Sequence, residues 1–128
     1  MSTRSRIAIE NQNGSVTSIY CHFDGYISGV GKTLEKHYTD RSVVEGLIEL
    51  GDISTLGEST EDTVAYCRDR GEDLCSRSYL SIESLFDLGF NSGVEYIYCF
   101  TKNNIWLVNE EESNQVNDLK VALEEEGV

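Results

Sequence analysis

Apolar and polar residues alternate from Arg4 to Glu10 and again from Val16 to Phe23, with Asn11-Gln12-Asn13-Gly14 between the two runs. A period of two sets one face of a strand against a core, and a polar, glycine-bearing break between two such runs signals a hairpin. Turn chemistry selects the register. A two-residue Asn13-Gly14 turn pairs Ile7 with Tyr20. A loop of Gln12-Asn13-Gly14 puts Gly14 at the left-handed position that a three-residue loop requires. It pairs Ile7 with Ile19 and Ile9 with Thr17, so that Ile7, Ile9, Ile19, Cys21 and Phe23 share one face. This second register is preferred, because a slip of one residue exchanges the two faces. Val94–Thr101 and Ile105–Val108, joined by Lys102-Asn103-Asn104, form a second hairpin rich in aromatic and β-branched residues.

Between and after the hairpins the period changes. Val30, Leu34 and Tyr38 recur at spacing four, Val43, Val44, Leu47 and Ile48 form a helical stripe, and Ile82, Leu85 and Phe86 a shorter one. Val116, Leu119, Ala122 and Leu123 mark a terminal helix. Thr39 or Asp40 caps the second helix and Gly51 ends it. The region from Asp52 to Asp62 reads as loop, Thr63–Arg68 as a short edge strand, and Asp69–Asp73 as a charged turn. The whole predicts an α+β fold. Its antiparallel sheet is built from two β-hairpins, about 4–23 and 94–108, with helices at about 29–38, 41–50, 81–88 and 113–125 packed on one face. The 128 residues suit a single domain, 1–128.

Charge narrows the function. The net charge of −13 argues against direct nucleic-acid binding, which draws on Lys and Arg. Seven acids against Lys120 between Asn109 and Val128 make a solvated helix face, or a surface that mimics DNA or meets a basic partner. No apolar run approaches the ~20 residues of a membrane span, and the first residues lack the apolar centre of a signal peptide. A cytoplasmic location is therefore expected. Cys21, Cys67, Cys75 and Cys99 form no Cys-x-x-Cys pair and read as reduced, mostly buried residues. No cofactor or metal is expected.

Chemically useful groups concentrate at the end of the first hairpin, in Ser18-Ile19-Tyr20-Cys21-His22-Phe23-Asp24-Gly25-Tyr26. In the preferred register Arg6 lies near Tyr20 and Arg4 near His22, on the side away from the predicted core. The following Gly29-Val30-Gly31-Lys32-Thr33 resembles the end of a phosphate loop, but Tyr26 stands where that loop needs its first glycine. A helix starting near Gly29 still offers backbone N–H groups, with Lys32 close by, to an anion. Arg68 and Arg70 form a second cationic pair among only ten basic residues. If the fold joins the pairs, Arg4, Arg6, Arg68 and Arg70 hold phosphates bidentately while Tyr20, His22 and Tyr26 meet a ring. The candidate ligand-binding residues are these seven with Asp24 and Lys32.

Residues Ser2-Thr3-Arg4-Ser5-Arg6-Ile7, the Asn13-Gly14 turn, the Ser18–Tyr26 segment with Gly29-Val30-Gly31 and Leu34, then Leu47–Leu56 and Ala65–Glu72, resemble a family of small bacteriophage and prophage accessory proteins. The likeness covers roughly the first 72 residues. Cys67 stands where many relatives carry histidine. The resemblance implies a non-structural phage gene acting in the host, in takeover or counter-defence.

Three functions compete. The first is a binding module, or sponge, for a small anionic ligand such as a cyclic or linear nucleotide. The second is an acidic inhibitor or DNA mimic that blocks a host defence protein. The third is an enzyme, which the sequence disfavours: adjacent Cys21 and His22 point to opposite faces of a strand, and only His22 with Asp24 offers an oriented base. No catalytic residue is assigned. A homo-oligomer stays open, since a pocket shared between subunits shows only half its residues in one chain.

Overall fold

The computed structural model describes residues 3–72, 75–111, 113 and 115–127. The parts of the expected charged turn, terminal helix and acidic run that fall on Asp73, Glu112, Asn114 and Val128 lie outside these residues, as do Met1 and Ser2. Both hairpins form. β1 (Ser5–Glu10) and β2 (Val16–Cys21) pair antiparallel with Ile7 opposite Ile19 and Ile9 opposite Thr17. Gly14 takes φ +88° in the loop, as the three-residue turn requires.

The sheet is mixed rather than antiparallel throughout. β6 (Tyr96–Phe100) runs parallel to β1, with Ile7 opposite Tyr98 and Ile9 opposite Phe100. Beyond it β7 (Trp106–Glu110) and β8 (Asn117–Asp118) continue antiparallel. On the other flank β2 takes β3 (Ile53–Thr55) in parallel, and β3 takes β4 (Val64–Ala65) antiparallel. β5 (Arg77–Tyr79) joins the same edge of β2 farther along. The order is β4-β3-β2-β1-β6-β7-β8, with β5 beside β2. The expected loop after Asp52 therefore contains a strand. It is short, and polar residues surround it, so no local periodicity marks it.

The helices cover both faces, not one. α1 (Lys32–His37), α2 (Arg41–Glu49) and α5 (Leu119–Glu125) pack over Ile7, Ile9, Ile19, Tyr98, Phe100, Trp106 and Val108. α4 (Ile82–Leu88) and the 3₁₀ turn after it lie on the opposite face, over Ala8, Val16, Ile97 and Cys99. The side of the first hairpin assigned to solvent is thus partly a second, smaller core. Arg6, Ala8 and Ser18 are buried there.

Four local corrections follow. The expected helix at 29–38 divides into a π-helical turn (Ile27–Gly31) and α1. The residues after Ala65 form α3 (Tyr66–Arg70), ended by Gly71 at φ +68°. The terminal helix begins only at Leu119, where Asp118 caps it by accepting from the Lys120 N–H at 2.9 Å. Phe23, expected in the core, is 43% exposed, because the strand ends at Cys21 and the chain turns at Asp24.

Candidate functional site

The end of β2 carries a continuous line of rings. Tyr20 and His22 alternate with Cys21 and so share a face, and the Tyr20 hydroxyl lies 2.8 Å from His22 Nδ1. The His22 ring meets Phe23 edge-on, with centroids 4.6 Å apart. Phe23 and Tyr26 are both exposed and line a small cavity of about 170 Å³, together with Asp24, Ser28, Gly29 and Thr33.

The backbone at this cavity is unusual. Asp24 adopts φ +59°, a conformation few non-glycine residues take, and one found often at functional positions. Its carbonyl accepts from the Val30 N–H at 2.8 Å, and the Tyr26 carbonyl accepts from Gly29 N–H at 2.9 Å. These two bonds hold the π-helical turn against the strand end. They also use the very N–H groups expected to face an anion. A Cβ at Gly29 would stand 2.4 Å from the Asp24 carbonyl oxygen, so only glycine fits there. The Asp24 carboxylate accepts from the Tyr26 hydroxyl at 3.3 Å, and its charge pushes that phenol's pKa up.

Cationic groups reach this surface unevenly. Arg4 is exposed, and its charge acts against the burial that raises the Tyr20 phenol pKa. Arg6 sits opposite Tyr20 but is buried, and its Nε donates to Ser18 Oγ at 2.9 Å. Burial lowers the Arg6 pKa, while Tyr79 and Asp52 counter that loss. Arg68 is committed elsewhere. It donates to the Thr60 carbonyl at 2.7 Å, to the Thr63 carbonyl, and to Asp69 at 2.9 Å. That bond lifts the Arg68 pKa and depresses the Asp69 carboxylate. Arg70 lies over the Tyr66 ring at 5.1 Å, and Tyr66 is close enough to perturb Tyr20. Lys32 is exposed at the start of α1. The fold therefore keeps Tyr20, His22, Asp24 and Tyr26 together at the end of β2, leaves the Arg4 guanidinium beside Gly93 within electrostatic reach of Tyr20, brings Arg70 near Tyr20 through Tyr66, buries Arg6, and turns Arg68 to its own loop.

Sequence reasoning missed Phe23, Tyr66, Asp52 and Arg77. Asp52 Oδ1 accepts from the Tyr20 backbone N–H at 2.9 Å and so fixes the edge of β2. Arg77 bears electrostatically on Arg6. Phe23 had one available signal, the Asp24-Gly25 turn immediately after it, which ends the alternation that placed it in the core.

Cys21 is the thiol that adjoins this site in the chain. Cys21 is buried beneath it, and burial pushes its thiol up to about 12. Among the described residues no three His, Cys, Asp or Glu side chains converge in a way that would hold a metal ion, and no helix is long and apolar enough to cross a membrane. The chain matches no protein-family model, no curated protein and no solved structure.

Proposed function

We propose that this protein is a non-enzymatic accessory protein of phage type that captures a small, ring-bearing anion of the nucleotide kind. The observation that carries the reading is the line Tyr20–His22–Phe23–Tyr26, with two of its rings more than 40% exposed and the Arg4 guanidinium acting on Tyr20. Exposed rings stack on bases at about 1–3 kcal/mol each, and arginine binds phosphate oxygens in pairs. The 170 Å³ cavity is smaller than the roughly 300–1,000 Å³ that encloses a drug-sized ligand. One ring enters between Phe23 and Tyr26, and the phosphates lie outside it toward Arg4 and Lys32. Asp24 accepts from a base N–H. The likeness of the first part of the chain to phage accessory proteins supports a counter-defence role in the host cytoplasm.

A melting-temperature screen against linear and cyclic nucleotides tests this. A ligand at 100 times its dissociation constant adds about 2.7 kcal/mol. Phe23→Ala should remove the shift while leaving the ligand-free midpoint nearly unchanged, because Phe23 is largely exposed. A panel in which no nucleotide raises the midpoint would count against capture. It would favour the second reading, an acidic blocker of a basic host defence protein, for which exposed Glu124, Glu125 and Glu126 at the end of α5 speak.

A further inference from the structure

A larger cavity, of about 640 Å³, opens beside the second core, between α4 with its 3₁₀ turn, β7, and Ser113 and Val116 ahead of β8. Phe86, Phe90, Leu107 and Val116 form its apolar wall. Its volume lies within the roughly 300–1,000 Å³ typical of small-molecule sites. Its polar groups point to a different ligand from that of the Tyr20 face. Glu83 and Asp87, one helical turn apart on α4, are exposed at the cavity. None of the described residues lining it is basic.

Asn109 supplies the second observation. It lines the cavity, is only 7% exposed, and its Oδ1 accepts no hydrogen bond among the described residues. It stands opposite Ile97 in the ladder between β6 and β7, so its side chain faces the smaller core. A buried carbonyl without a donor is costly, and a native structure usually supplies its partner.

We infer that this cavity is a second binding site, for an amphipathic amine: an apolar ring with an N–H or O–H donor at one end and an ammonium group at the other. The ring packs on Phe86, Phe90 and Leu107. Its donor satisfies Asn109 Oδ1 at the buried end, and the ammonium meets Glu83 and Asp87 at the mouth. The site is independent of the anion-binding reading, and it selects for the opposite charge.

Tryptamine is the probe, because it joins an indole N–H to a primary ammonium. Its titration into ¹⁵N-labelled full-length protein should shift the amides of Glu83, Asp87, Leu107 and Asn109 to saturation and leave those of Phe23 to Gly29 in place. 1-Methyltryptamine, which lacks the ring donor, and tryptophol, which lacks the charge, should each bind about tenfold more weakly. Asn109→Leu should abolish the preference over 1-methyltryptamine without lowering the melting temperature. Glu83→Gln with Asp87→Asn should abolish the preference over tryptophol. Equal binding of the three compounds to the unmodified protein, or no shift at these amides at about 10 mM tryptamine, would overturn the inference. So would a basic amphipathic peptide that shifts the same amides when tryptamine does not, since the cavity would then be a protein-docking groove.

Discussion

The Tyr20 hydroxyl and His22 Nδ1 lie 2.8 Å apart on one face at the end of β2. Burial raises the Tyr20 pKa, so the phenol keeps its proton through neutral pH. It then acts as the donor and His22 Nδ1 as the acceptor, which places the ring N–H on Nε2. Imidazole ¹⁵N shifts should show the Nε2–H tautomer. Tyr20→Phe should release that preference. An Nδ1–H tautomer in the unmodified protein would reverse the donor assignment.

Arg6 and Arg68 should separate on mutation. Arg6 packs its stem in the smaller core and bonds Ser18, so Arg6→Ala should cost about 2 kcal/mol in denaturant unfolding. Arg6→Met should recover most of that loss, because Ser18 Oγ keeps a bond to the Arg77 carbonyl at 3.1 Å. Arg68→Ala should instead loosen the loop from Thr60 to Asp69, read as faster amide exchange there, with little change in any nucleotide-induced shift. Loss of ligand response in Arg68→Ala alone would return that residue to the binding face.

Gly29→Ala should be among the most damaging single-methyl additions. The new Cβ would meet the Asp24 carbonyl oxygen at 2.4 Å, and neither backbone segment can yield without breaking the Val30–Asp24 bond. The expected loss is about 2–3 kcal/mol. Gly46→Ala, in open space on α2, should be neutral or slightly stabilising and serves as the control.

The buried thiols give a pH dependence of known sign. Burial raises Cys21 and Cys99 from near 9 to about 12. The unfolded chain ionises first, so their contribution is whole below pH 9 and is lost as pH rises toward 12. Each thiol should remove about 1.4 kcal/mol per pH unit in that window, and Cys21→Ala or Cys99→Ala should flatten the slope. Native alkylation read by mass spectrometry should label exposed Cys75 first, then half-buried Cys67, and leave Cys21 and Cys99 unmodified.

How far the sequence carried differs by element. The register of the first hairpin was legible, because Gly14 and the pairing of Ile7 with Ile19 are local matters of turn and pleat. The parallel contact of β1 with β6 was not, since no turn joins those strands and their shared edge is settled only by packing. Placement of helices on both faces was hidden for the same reason. Ala8 and Val16 are the inward residues of the second face, and in a hairpin they resemble ordinary outward positions. At the candidate site Tyr20, His22, Asp24 and Tyr26 could be grouped because they are neighbours in the chain. The commitments of Arg68 to Thr60, Thr63 and Asp69 depended on a helix at Tyr66–Arg70 that period-two reading turned into a strand.

The central claim is that a ring-bearing anion seats between Phe23 and Tyr26. It is tested most directly by titrating the nucleotide that most raises the melting temperature into ¹⁵N-labelled protein. The account predicts saturable shifts at the amides of Phe23 to Gly29 and at the Arg4 side chain, with the Glu83 and Asn109 amides unmoved. Saturation with those positions unchanged, or no binding by any nucleotide at about 1 mM, would contradict it.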